Sequence, residues 1–201
     1  GRSVLGIRPL LWKNGWPVAG EVFKEGTYEI ESERRGYALE LAVDFVRMEY
    51  TRHRFWEKDD TPVVPLKPQT LEDVIGTWPQ GKINVRIGDY MFRPHQKWTI
   101  TAVPNGGGYL GGPYYKIVIE GTNRALAATA GAEIVTVPEF TGAPEQLWRI
   151  DQLTDGTYRI MPKKVPGTDK ELVLVSVGDS TPSLDIFDMN SDNAKWNFRD
   201  H

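Results

Sequence analysis

The sequence predicts an all-β fold assembled from three pseudo-repeats, and three observations predict it. Short strand-like runs dominate, with Gly, Pro, Asn and Asp between most of them. Helix start chemistry is confined to one short stretch. The same ordered set of apolar and aromatic anchors also occurs three times along the chain.

The strand-like runs are residues 28–31, 39–43, 83–87, 116–120, 133–137, 158–161 and 172–177. The helical stretch is residues 69–75, where Thr70 can cap the first turn and Asp73 can return a hydrogen bond three residues on, enough for one or two turns. Each repeat opens on a Tyr-x-Ile strand: Tyr28 and Ile30, Tyr115 and Ile117, Tyr158 and Ile160. An apolar pair follows, Leu39 with Leu41, Leu126 with Ala128, and Leu172 with Leu174. Each repeat closes on a tryptophan strand, at Trp98, Trp148 and Trp196.

One four-strand unit cannot bury its inner face alone, whereas three such units around a pseudo-threefold axis close a barrel and leave few edges. The three tryptophans would wedge the centre together, so they and the leucines of the apolar pairs are the expected core. The closers read Gln96-Lys97-Trp98, Gln146-Leu147-Trp148 and Ala194-Lys195-Trp196.

With these anchors the chain resembles the ricin-type β-trefoil family over residues 26–198, the Gln-x-Trp signature being full twice and degenerate at Ala194. The resemblance implies a β-trefoil in which the first repeat carries a long insertion, at about residues 44–81, rich in Pro and charge. It also implies where a sugar pocket would sit. In the first repeat the matching positions are Glu40, Asn84, Arg86, His95 and Gln96, able to exchange hydrogen bonds with vicinal hydroxyls. At the acid position the second repeat has Ala127 and the third Val173, which cannot anchor a hydroxyl. The first repeat departs from the family pattern too, with Glu40 for Asp, Arg86 near the usual aromatic and His95 for Asn. A purely structural alternative has Gln96 satisfying backbone groups beside Trp98 while Glu40 pairs with a nearby Arg.

Ahead of the repeats, Lys13-Asn14-Gly15 reads as a hairpin turn between two apolar strands. The run from Arg8 through Trp12 and Trp16 to Val18 resembles the end of the five-bladed propeller in family 43 glycoside hydrolases, with Asn14 where Asp is usual. Two readings stay open: a hairpin belonging to the trefoil domain, or the tail of an upstream catalytic propeller from an arabinanase- or xylosidase-like enzyme. The expected division is residues 1–25 as extension and 26–201 as trefoil, and an opening on Gly1 rather than Met suggests an excised fragment. Leu10, Leu11, Trp12 and Trp16 would then face that upstream domain.

The chain's 24 basic and 27 acidic residues are interspersed, giving a formal charge of -3 and no basic block suited to a phosphate backbone. No cysteine is present, so disulfides and thiolate metal sites are excluded. His53, His95 and His201 lack metal-ligand spacing, and the glycine-rich run from Asn105 to Gly112 lacks the Lys-Ser/Thr of a phosphate loop. No cofactor is expected. The adjacent acids Asp59-Asp60 and Glu72-Asp73 read as solvated pairs, so no catalytic residue is assigned in this chain. Phe55, Trp56, Trp78, Phe92, Tyr109, Tyr114 and Phe140 are aromatics that could stack on sugar rings or simply pack.

The resemblance implies a non-catalytic carbohydrate-binding or accessory module of a plant-polysaccharide-degrading glycoside hydrolase. Its expected partners are an oligo- or polysaccharide and an upstream catalytic domain, and its expected location is extracellular, periplasmic or cell-surface. The alternative is a structural module that packs on the catalytic domain without binding sugar itself, using Phe55, Trp56 and Trp78 of the insertion as the docking surface.

Overall fold

A computed structural model describes residues 10–13, 15–19, 22–33, 36–43, 70–109, 112–177 and 181–200. Two short strands, β1 (Leu10–Lys13) and β2 (Trp16–Ala19), form a hairpin in a sheet of their own, with Gly15 supplying the positive φ of 81° that the turn needs. The first repeat contributes β3 (Gly26–Ser32), β4 (Tyr37–Leu41), helix α1 (Leu71–Gly76), β5 (Ile83–Asp89) and β6 (Lys97–Ala102). A small hairpin, β7 (Gly108–Tyr109) and β8 (Gly112–Pro113), leads into the second repeat. That repeat holds β9 (Tyr115–Ile119), β10 (Ala125–Ala128), β11 (Ile134–Val137) and β12 (Trp148–Gln152). The third holds β13 (Tyr158–Pro162), β14 (Val173–Val177), β15 (Thr181–Asp185) and β16 (Trp196–Asp200).

The Tyr-x-Ile strands and the tryptophan strands close into one six-stranded antiparallel barrel. Going round it, β3 pairs with β6, β6 with β9, β9 with β12, β12 with β13, β13 with β16, and β16 returns to β3. Closure removes the exposed edges that any single repeat would present. The other strands of the three repeats form three hairpins, β4–β5, β10–β11 and β14–β15, that cap one end. They join one another through β11–β5 pairing, through the Glu133–Ser183 bridge and through a 2.9 Å bond from Leu184 N–H to the Ala132 carbonyl.

The expected core is buried as the repeat pattern requires. Trp98, Trp148, Trp196, Leu39, Leu41, Leu126 and Leu174 are wholly inaccessible, and Leu172 is also buried. Each tryptophan indole N–H donates to a leucine carbonyl: Trp98 to Leu39 at 2.9 Å, Trp148 to Leu126 at 3.0 Å and Trp196 to Leu174 at 2.9 Å. The same hydrogen bond made three times fixes the repeat register by geometry. It also corrects the sequence alignment in the third repeat, because Leu174, not Leu172, is the equivalent of Leu39 and Leu126. The position matching Glu40 is therefore Val175 rather than Val173.

The opposite end of the barrel is closed by aromatic rings. Phe23, from the segment before β3, meets Tyr28, Tyr115 and Tyr158 edge-on at 5.3, 6.0 and 5.5 Å between centroids, and Phe198 at 4.5 Å. Those three tyrosines head the Tyr-x-Ile strands, so one phenylalanine plugs the barrel at its pseudo-threefold axis. Tyr115 Oη accepts from Phe23 N–H at 2.7 Å and donates to the Phe23 carbonyl at 3.1 Å, fixing the plug's backbone.

The insertion is described from Thr70 onward, and there the capping chemistry reads as expected. Thr70 Oγ1 accepts from Asp73 N–H at 3.2 Å, and Asp73 Oδ2 accepts from Thr70 N–H at 2.9 Å. Trp78 is buried in the main core rather than offered to a ligand or a docking partner. Residues 44–69, with His53, Phe55, Trp56, Asp59 and Asp60, lie outside the described residues, as do residues 1–9, His201 and the side chains of Leu10, Leu11, Trp12 and Tyr109. None of the described helices is long and apolar enough to cross a membrane.

Candidate functional site

Alternation along β4 and β5 decides which side chains reach the site. Leu39 and Leu41 point into the core from β4, as do Ile83, Val85 and Ile87 from β5, leaving Glu40 on one strand and Asn84, Arg86 and Gly88 on the other for the opposite face. The register sets Glu40 directly across from Arg86 and Ala38 across from Gly88. A single 3-10 turn at Pro94–Gln96, started by a proline whose φ suits it, then brings His95 and Gln96 up before β6 begins.

Four of the five expected residues meet on the Glu40 carboxylate. Its Oε1 accepts from Arg86 Nε at 2.6 Å, while its Oε2 accepts from Gln96 Nε2 at 2.7 Å and lies 3.1 Å from His95 Nε2. Glu40, His95 and Gln96 are buried, whereas the Arg86 side chain is 42% exposed. Asn84 does not join the cluster; it is exposed on the same face two residues from Arg86. The carboxyl group of Glu40 occupies the space a β-carbon at position 88 would need, so Gly88 is required by close approach.

Gln96 also organises the turn beside the site. Its Nε2 donates to the Asp89 carbonyl at 2.7 Å, and its Oε1 accepts from Met91 N–H at 2.9 Å and Arg93 N–H at 3.5 Å. Gln146 repeats this role in the second repeat, where its Oε1 accepts from Thr141 N–H at 2.7 Å and its Nε2 donates to the Glu139 carbonyl at 3.3 Å. The third repeat has an apolar version. Val173, Val175, Ala194 and Met161 form a small buried cluster with Phe187 against it. Val175 and Ala194 there replace Glu40 and Gln96 together, so neither polar group is left buried without its partner.

The contacts of the first repeat are those of the structural alternative, with polar groups left on its outer face. Glu40 pairs with Arg86 and Gln96 satisfies backbone groups, while the outward-facing Arg86 and Asn84 keep donors and an acceptor at the surface. Burial would push the Glu40 carboxyl up, but hydrogen bonds from His95, Arg86 and Gln96 outweigh it and hold the group below the ordinary value of 4.5. An ionised, enclosed carboxylate is suited to holding a guanidinium in place.

Removing Glu40 tests this arrangement. Glu40→Ala removes the carboxylate that Arg86, Gln96 and His95 share, while Gln96 keeps the Asp89 carbonyl and Arg86 the Val43 carbonyl, and should destabilise the fold by about 2–3 kcal/mol. That is less than the roughly 3–5 kcal/mol typical when a fully buried pair is broken, because solvent reaches Arg86. The folded pKa of Glu40 is depressed, so its contribution is complete above pH 4.5 and is lost as pH falls below that value through the folded pKa. Urea unfolding at pH 7 and at pH 3 should therefore show the mutant and wild type converging in acid.

The other candidate aromatics divide by exposure. Phe92 is 62% exposed in a backbone of φ 55°, packed edge-on against Tyr90 at 4.5 Å. Phe140 lies under Lys116, 5.6 Å from the ammonium, and Tyr114 under Lys163 at 5.1 Å. Sequence reasoning missed Gly88 and Phe23. A glycine inside a strand was the available signal for the first, since it marks close approach of another group.

Residues 94–168 match the family model described as ricin-type beta-trefoil lectin domain-like. No curated protein matches the sequence. Among solved structures, a mosquitocidal holotoxin aligns with a TM-score of 0.58 at 14% identity, over 89% of this chain and 18% of the toxin. ThreeFoil, a designed threefold-symmetric protein, aligns with a TM-score of 0.55 at 19% identity, over 88% of this chain and 99% of the design. The Polyporus squamosus lectin aligns with a TM-score of 0.53 at 17% identity, over 89% of this chain and 50% of the lectin. With the closed barrel, the three capping hairpins and the three equivalent tryptophan bonds, these matches show a β-trefoil whose residues 94–168 are similar to the ricin-type beta-trefoil lectin domain-like family.

Proposed function

We propose that this chain is a non-catalytic carbohydrate-binding module whose sugar-facing surface is the outer face of β4 and β5 in the first repeat. The observation that carries the reading is the convergence of Glu40, Arg86, His95 and Gln96 at the place where the ricin-type resemblance puts a sugar pocket. The buried carboxylate holds Arg86 through Nε, and Arg86 Nη2 donates to the Val43 carbonyl at 3.1 Å, so the guanidinium is oriented before any ligand arrives. Asn84 beside it adds an amide able both to donate and to accept. Two β-trefoils of similar fold support a glycan ligand: the Polyporus squamosus lectin is bound to Neu5Aca2-6Galb1-4GlcNAc, and the Vibrio vulnificus hemolysin lectin to N-acetyl-D-lactosamine.

The module would serve a secreted or cell-surface plant-polysaccharide-degrading enzyme of the family 43 glycoside hydrolase kind, lying C-terminal to the catalytic propeller. The sequence from Leu10 to Val18 supports this, as does the β1–β2 hairpin, which forms its own sheet and leaves Trp16 75% exposed. A glycan array carrying galactose, arabino-oligosaccharides and xylo-oligosaccharides should return at least one neutral ligand. Arg86→Ala should then weaken that ligand about tenfold, the value of one to two directed hydrogen bonds to a charged donor. Unchanged affinity in Arg86→Ala would remove the first repeat as the binding surface.

A further inference from the structure

We infer that the chain holds a second ligand site, for an anionic saccharide, in a crevice between the second and third repeats. This rests on the carbohydrate-binding reading only for the class of ligand; the crevice is formed by other residues than those around Glu40. Its volume is about 300 Å³, within the range of small-ligand pockets and suited to one or two sugar rings. Met161, Pro162 and Val165 are buried and form its floor. Tyr114 lies alongside.

The polar lining is cationic in a chain whose overall charge is negative. Arg149, Lys163, Lys164 and Lys170 line the crevice against only Asp169 and Glu171. Arg149 bonds to Asp151 at 2.7 Å, and Arg159 bonds to the same carboxylate, also at 2.7 Å. Lys163 is positioned by donating to the Gly106 carbonyl at 2.6 Å and by lying over the Tyr114 ring. Lys164 and Lys170 are exposed and make no side-chain ion pair among the described residues. A concave site with surplus positive charge over an apolar floor favours a sugar bearing a carboxylate or a sulfate over a neutral one.

The test is calorimetric titration of the whole chain with three probes: oligogalacturonate, a sulfated galactan oligosaccharide and neutral galacto-oligosaccharide. At least one anionic probe should bind, with affinity falling as salt is raised, and the stronger of the two identifies the charged group. The double variant Lys164→Gln/Lys170→Gln should lose at least tenfold in that affinity while its unfolding midpoint and its neutral-sugar binding stay at wild-type values. Arg86→Ala should bind the anionic probe normally. Failure of both anionic probes, or equal binding by the lysine variant, overturns this site and leaves the first-repeat reading standing. Neutral-sugar binding insensitive to Arg86→Ala overturns the first-repeat reading and leaves this one.

Discussion

Trp148→Ala should lower the stability of the fold by about 3–5 kcal/mol, the cost of deleting a large buried aromatic together with the cavity it leaves. Trp148 is wholly buried, and its indole N–H satisfies the Leu126 carbonyl, so truncation also strands an acceptor in the core. Trp148→Phe separates the two effects. It keeps most of the apolar area and should cost about 1–3 kcal/mol for the unsatisfied carbonyl and the smaller ring. Because Trp98 and Trp196 make the same bond to Leu39 and Leu174, the three alanine variants should fall within a narrow range. Urea denaturation measures this directly, and a loss below about 1 kcal/mol at Trp148 would contradict the wedge role assigned to it.

Phe23→Ala should be comparably damaging, again about 3–5 kcal/mol, although Phe23 precedes the first repeat. Its ring is 8% exposed and meets an aromatic from every repeat, Tyr28, Tyr115, Tyr158 and the late Phe198. Edge-to-face contacts of this kind add to simple area burial. Phe23→Leu fills much of the space without the ring contacts and should recover about half the loss. A variant shortened to begin at Gly26 should be destabilised as strongly as Phe23→Ala, whereas wild-type stability in either would show that the plug is dispensable.

The parts of the fold legible in the sequence are those repeated three times. Tyr-x-Ile strands, leucine pairs and closing tryptophans were visible because each unit must solve the same packing problem, and the barrel strands follow from them. Position 174 shows the limit of that reading. Leu172 and Leu174 are both buried, so hydrophobicity alone cannot choose between them, and only the Trp196 bond to the Leu174 carbonyl sets the register. Phe23 was illegible because it belongs to no repeat: its role comes from lying on the axis relating all three. At the site, four of the five residues could be gathered from resemblance, while the saturation of the Glu40 carboxylate depends on the facing register of β4 and β5 and on Gly88 making room. Asn84, two residues from Arg86 on the same face, lies outside that buried cluster because β5 carries it past the end of β4.

The most direct measurement of the central claim is a set of amide and guanidinium NMR spectra of the chain titrated with whichever neutral oligosaccharide the glycan array returns. The account predicts saturable shifts concentrated at Asn84, Arg86 including its Nε–H, Gly88 and the turn from Asp89 to Gln96, with the equivalent positions in the third repeat, Val175 and Ala194, unmoved. Shifts centred on the second or third repeat, or a spectrum unchanged at saturating sugar, would contradict a sugar-facing first repeat.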